Sequence, residues 1–227
     1  IKNLIIWLFI VLGTVIVFMI NEKYGPGVFP DYLKGKYFSP KRERRIFMFA
    51  DIRNATGIAE AIGEEKYFHF LKDFFEDIAS AIQKSQGEVY QYVGDEVVIT
   101  WKMKNGLRKA NALQCFYRMR DAIKKRETYY MKRYGYVPTF KVGLHYGAVM
   151  VGELGKIKRD IAFSGDVLNT TARIQASCNE HQVDILTSSD FANILYQLPK
   201  GLKKETIGKV HLRGKSEEIT LVTYREV

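Results

Sequence analysis

EVYQYVGDEVVITW (88–101) is the stretch that decides the fold. Two runs rich in Val, Ile, Tyr and Thr flank Val93-Gly94-Asp95, which predicts a β-hairpin with a carboxylate at its tip. Upstream, IFMFADI (46–52) predicts a strand whose apolar run ends in a second aspartate, Asp51. Between the two, EEKYFHFLKDFFEDIASAIQKS (64–85) sets Tyr67, Phe68, Leu71, Phe74, Phe75, Ile78 and Ile82 at helical spacing; Gly87 ends it, and Thr56 reads as the N-cap of a short helix before it. Downstream, the pattern predicts a helix over 107–134 and a second hairpin from TFKVGLHYG (139–147) and AVMVGEL (148–154). A helix over GDVLNTTARIQASC (165–178) and the strand VDILT (183–187) follow. A helix over 188–196 and the strands KVHLRG (209–214) and ITLVTY (219–224) complete the series. The order β-α-α-β-β-α-β-β-α-β-α-β-β predicts an α+β domain with a ferredoxin-like βαββαβ core.

The 227 residues suffice for one large core with an appendage. With 47% hydrophobic and 26% charged residues and only 5 Pro, disordered and collagen-like classes are excluded. Cys115 and Cys178 stand apart without a CxxC pair, so neither a disulfide framework nor a zinc site is indicated. The net charge of +10 is concentrated at the start: residues 1–45 carry 8 basic and 3 acidic side chains. There, LIIWLFIVLGTVIVFMI (4–20) is a run of seventeen uncharged residues, about 25 Å as a helix, and reads as a transmembrane segment. The expected organisation is therefore a transmembrane helix at 1–21, a connector at 22–44 broken by Pro26, Pro30 and Pro40, and a globular domain at 45–227. Because the chain opens on Ile1, the helix is expected to be the last of a longer membrane region. Lys23, Lys34, Lys36, Lys41, Arg42, Arg44 and Arg45 follow it, which by the positive-inside rule puts the domain in the cytoplasm, on an inner or plasma membrane.

Asp51 and Asp95 each sit at a strand terminus beside turn-forming residues. If their strands are neighbours, both carboxylates meet at one sheet edge, a donor set suited to Mg²⁺ with phosphate supplying the remaining oxygens. The segment Arg53-Asn54-Ala55-Thr56-Gly57 opens a helix whose free N–H groups would cradle phosphate, which points to a nucleotide.

FADIRNAT, GEVYQYVGDEV, VGLHYGAVMVGELG, SGDVLNTTAR and VHLRGK, in this order and spacing, resemble the class III nucleotide cyclase catalytic domain, and the resemblance covers 45–227. It implies conversion of ATP or GTP to the 3′,5′-cyclic monophosphate and pyrophosphate, with two sites shared across a homodimer. It further implies two Mg²⁺ (or Mn²⁺) ions per site on Asp51, Asp95 and the Ile52 carbonyl. Asn169 and Arg173, at i and i+4, match the residues that orient the ribose and stabilise charge on the α-phosphate. Asn54, Ala55, Thr56 and Gly57 match the phosphate loop, although the family's glycine at the third position after the first aspartate is here Asn54. Arg213 and Lys215 both fall where the family places a cation for the distal phosphates, with Lys156 and Lys158 as weaker candidates. His145 is a family landmark, expected to be satisfied by a backbone partner.

Base selection departs from the family. Where adenylate cyclases carry Lys, this chain has Gln91, and the partner Asp or Thr aligns with Ala162; Asp160 or Ser164 could substitute. Lys only donates hydrogen bonds, as adenine N1 requires, and the Glu of guanylate cyclases only accepts; a Gln amide does either. The expectation is an adenylate cyclase with poor discrimination, guanylate or dual specificity being the alternative and a silent nucleotide-binding domain a further one. The eleven Lys and Arg of 102–133 raise nucleic-acid binding as a rival, but no groove-reading motif accompanies them, and none is expected as a partner.

Overall fold

A computed structural model describes residues 2–24, 39–157, 160–211 and 218–227, with side chains in the first segment described from 3 to 19. The chain forms two compact units, one of residues 1–43 and 150–164 and the other of 44–149 and 165–227.

From residue 41 onward the elements begin with β1 (Lys41–Ile52), α2 (Ala55–Ile62), α3 (Glu64–Lys84) and the hairpin β2 (Glu88–Val93)–β3 (Glu96–Lys102). The short α4 (Met103–Leu107) leads into α5 (Asn111–Lys125), α6 (Glu127–Tyr134) and the long strand β4 (Phe140–Leu154). After β5 (Asp160–Ser164) come α7 (Asp166–Ala176), β6 (Ile185–Ser188), α8 (Ser189–Ile194), β7 (Leu202–His211) and β8 (Glu218–Glu226). Among the described residues the sheet order is β2-β3-β1-β4-β6-β8-β7, with β5 paired to β4. The β1–β3, β2–β3, β4–β5, β6–β8 and β7–β8 pairs are antiparallel, and β4 and β6 run parallel.

The predicted α+β architecture is present, with three differences in detail. Residues 140–154 form one strand rather than a hairpin: Gly147 is there not to turn the chain but because a Cβ would lie 3.0 Å from the Val167 side chain. The helix expected over 107–134 divides, because Lys109 and Ala110 take left-handed φ values of 52° and Arg126 leaves helical geometry. Asn54, not Thr56, precedes the first short helix; its φ of 55° is the left-handed conformation a glycine would adopt, and Asn tolerates it better than most residues.

The period of two along β1 divides two faces. Ile46, Met48, Ala50 and Ile52 join Val97, Ile99 and Trp101 in the main core, against Phe70, Phe74 and Ile78 of α3 and Leu113, Phe116 and Met119 of α5. Phe47 and Phe49 are also buried, so β1 is covered on both faces, and Asp51 belongs to their side. On β4 the same alternation puts Val142 and Leu144 in the main core and leaves Lys141, Gly143 and His145 on the opposite face. Helix α7 lies against that opposite face, and Gly143 sets the approach: a Cβ there would sit 2.4 Å from Gln175 N and 2.6 Å from Thr171 O. Ile174 and Cys178 close a smaller apolar cluster with Leu186 and Leu221.

In the smaller unit, α1 (Lys2–Tyr24) coincides with the expected membrane segment, and Leu4, Trp7, Phe9 and Phe18 are all exposed. Among the described residues, however, no helix is long and apolar enough to cross a membrane, so the transmembrane expectation is not supported. The connector between 25 and 38 lies outside the described residues. In the same unit β5 pairs with the outer part of β4, Ala162 opposite Gly152.

Gly143→Ala drives a methyl group into helix backbone, where no side chain can swing aside. It should destabilise the fold by about 1–3 kcal/mol or more, seen as a lower denaturation midpoint; an unchanged midpoint would show that α7 does not rest on β4 in this way.

Candidate active site

β1 and β3 pair so that Asp51 lies opposite Glu96, and Asp95 precedes Glu96 in the hairpin turn, where Gly94 takes a φ of 62°. Three acidic residues therefore gather at one end of the sheet. Asp95 and Asp51 lie within side-chain hydrogen-bonding reach of each other. Burial, that hydrogen bond and the Asp51 charge push the Asp95 carboxyl up to about 6. Burial, then the charges of Asp51 and Asp95, push Glu96 up to about 7. Lys141 opposes both shifts.

Asp51 is held from the other side by two donors on the same oxygen. Gln175 Nε2 donates to Oδ2 at 2.9 Å, and Lys141 Nζ lies 3.2 Å from it. Lys141 is 12% exposed, its charge directed inward by its place on the α7-covered face of β4. Tyr67 of α3 completes the surroundings: burial, then the charges of Asp95 and Asp51, push its phenol up to about 12, and its buried hydroxyl has no hydrogen-bond partner among the described residues.

Ile52 is 2% exposed, so its side chain fixes the backbone carbonyl that follows Asp51. Arg53 then clamps the next segment: Nη1 donates to Asn179 Oδ1 at 2.7 Å, Nη2 to Val183 O at 2.6 Å, and Nε to Asp184 Oδ1 at 3.1 Å. Its backbone N–H donates to Thr139 O. Beyond this anchor Asn54 makes no side-chain cap, so the first-turn amides of α2 at Ala55, Thr56 and Gly57 are not occupied by it. Asn54 packs instead over Gly57, where a Cβ would come within 2.6 Å of its Oδ1.

Asn169 is exposed and Arg173 half-buried on α7, one turn apart, and neither side chain makes a hydrogen bond or ion pair among the described residues. Gln91 is exposed on β2, the sheet's edge strand. Ala162 lies on β5 in the smaller unit. His145 Nδ1 meets Ser188 Oγ at 2.7 Å, and Ser188 Oγ also accepts from Phe191 N. Arg213, Lys215 and Lys158 lie outside the described residues. The structure thus brings Asp51 and Asp95 together and adds Glu96, Lys141, Gln175 and Tyr67, none of which stood out as a candidate in the sequence. A lysine inside the apolar strand FKVGL was the one visible signal among them.

The adenylate and guanylate cyclase catalytic domain family matches residues 39–224. The chain belongs to this family. Adenylate cyclase 2 of Rhizobium meliloti (strain 1021) is 29% identical over 222 residues, covering 97% of this chain and 61% of that protein; the chain thus spans about three fifths of that curated relative. Among solved structures, a bacterial light-regulated adenylyl cyclase superposes with a TM-score of 0.76 at 19% identity, covering 94% of this chain and 62% of that one. The guanylyl cyclase Cya2 superposes with a TM-score of 0.71 at 18% identity, covering 84% and 95%. The cyclase fold is therefore common to enzymes named for either purine.

The raised carboxyls give a pH signature to the chain without added metal. Asp95 and Glu96 keep protons in the folded state at pH values where the unfolded chain has lost them, so stability falls as pH rises between about 4 and about 7. The melting temperature of the metal-free chain should be higher near pH 5 than near pH 8, and Asp95→Asn should flatten the slope in that window. A wild-type slope that survives in Asp95→Asn would contradict the assigned crowding.

Proposed function

We propose that this cyclase-family domain converts ATP to 3′,5′-cyclic AMP and pyrophosphate, at sites completed by a second copy of the chain. The observation that carries the reading is the meeting of Asp51 and Asp95 at one sheet end, beside the uncapped start of α2.

The donor set suits hard divalent cations. Two carboxylates this crowded gain by binding a cation between them, and a backbone carbonyl at Ile52 adds a third oxygen. Among the described residues no group of three or more His, Cys, Asp or Glu side chains is arranged to hold a metal, so phosphate oxygens would complete the coordination. Mg²⁺ or Mn²⁺ bound there, two per site in this reading, supplies acidity at the ribose 3′-hydroxyl and neutralises triphosphate charge.

The rest falls to the chain. Asp51 and Asp95 fix where the triphosphate docks, and the α2 amides from Ala55 to Gly57 receive its oxygens. Asn169 orients the ribose so that the 3′-oxygen faces the α-phosphorus. As the new P–O bond forms and the bond to the β-phosphate oxygen breaks, Arg173 stabilises the charge building on the α-phosphate, a contribution typically worth several kcal/mol. The electron pair leaves with pyrophosphate and the 3′-hydroxyl proton passes to water.

A homodimer is supported by the incompleteness of the single chain: Asn169 and Arg173 make no hydrogen bond or ion pair among the described residues, and edge strand β2 exposes Val89, Tyr92 and Val93. Asp51→Asn and Arg173→Ala should each be inactive alone and recover part of the activity when mixed, because one hybrid site keeps every group. No recovery in a mixture shown to contain heterodimers would remove the shared-site reading.

Specificity turns on Gln91. The guanine-type acceptor Glu is absent, which favours ATP, but an amide that can flip tolerates both purines. Rates with ATP and GTP under Mg²⁺ or Mn²⁺ should differ by less than a dedicated site gives, ATP being faster; a faster rate with GTP would make guanylate cyclase the function. We further propose that α1 attaches the domain to a membrane, its exposed apolar side chains favouring lipid over water.

A further inference from the structure

We propose that Gln175 is the positioning residue of this site: its amide locks the Asp51 carboxylate in the orientation that receives the cation. The inference rests on the reading of Asp51 as a cation ligand and goes beyond it in naming what holds that ligand.

Gln175 is 5% exposed, and a buried amide in the last turn of a helix must find partners or destabilise the fold. Its Nε2 finds Asp51 Oδ2 at 2.9 Å, a hydrogen bond to a carboxylate reached across 124 residues of sequence. The reach depends on Gly143, because only without a Cβ can β4 admit the backbone N–H of Gln175 at this distance. The side chain therefore starts from a fixed point and ends on a fixed point.

Lys141 touches the same oxygen but cannot serve the same role. Its ammonium is a mobile charge on a four-carbon stem, and a divalent cation arriving at Asp51 repels it. The Gln175 amide is neutral and suffers no such repulsion. With Oδ2 tied to Gln175, Oδ1 is the oxygen presented to a cation. Neutral groups behind ligands commonly act this way, and removing one typically weakens metal binding about 10- to 100-fold.

The test uses the 227-residue chain and Mn²⁺ as probe. Gln175→Met fills the same space without a donor, and Gln175→Leu is a second such replacement. By isothermal titration, each should bind Mn²⁺ about 10- to 100-fold more weakly, with the metal-free melting temperature within a few degrees of the unaltered chain. Cyclase activity should need correspondingly more Mn²⁺ for half its maximum and return toward the full rate at saturation. A merely structural role would lower the rate at every Mn²⁺ concentration and leave the affinity unmoved, which would overturn the proposal. The unaltered chain offers a measurement that does not depend on variants folding: the Gln175 side-chain amide protons should exchange more slowly with solvent once Mg²⁺ is added, and unchanged exchange would also overturn it. Asp51→Asn separates the two levels. If it loses Mn²⁺ while the Gln175 variants bind normally, only the positioning role falls; if it binds Mn²⁺ as tightly as the unaltered chain, the cation reading falls and the positioning role with it.

Discussion

Like charges resist being brought together, and the end of the β1–β3 ladder brings three carboxylates to one place. Hydrogen bonding between strands fixes Asp51 opposite Glu96, and the turn at Gly94 delivers Asp95 beside them. The fold accommodates this crowding with one inward lysine, one neutral amide and a raised carboxyl at Asp95. Each is a different physical answer to one electrostatic problem, and a multivalent cation answers it better than any of them. The site is in this sense prepared for a ligand that the backbone arrangement makes favourable.

That arrangement is in turn a product of close packing. β1 is buried on both faces, so the strand carrying Asp51 has no freedom to shift its register. Arg53 then ties the chain leaving that strand to Asn179, Val183 and Asp184, well separated in sequence, and so orients the start of α2. Left-handed Asn54 makes the bend between the two. The loop that follows Asp51 is thus held at both ends by groups other than those offered to substrate.

Much of this was legible in the sequence, because local periodicity governs it. The hairpin carrying Asp95, the strand ending in Asp51 and the helix carrying Asn169 and Arg173 each announce themselves within a dozen residues. What sequence reading missed is long-range or depends on shape. Gln175 looks like an ordinary late-helix polar residue until the fold sets it against a strand from the other end of the domain. Gly147 suggested a turn, whereas its function is to make room for Val167 within a continuous strand. The break at Arg126 has no proline or glycine to signal it. Nor does sequence proximity reveal that the Ser188 hydroxyl meets His145.

Helix α7 carries exposed Asn169 and half-buried Arg173 one turn apart, while its last turn grips Asp51 of the same chain. If two copies complete each other's sites, Asn169 and Arg173 serve one reaction centre and the Gln175 amide serves the other. A rigid rod then runs between two centres, so occupancy at one alters the pose of the groups reaching into its counterpart. Turnovers on the two sides would be energetically linked, and reciprocally so. Cooperativity in such an assembly would need no separate regulatory domain, only a helix too tightly seated to move in part.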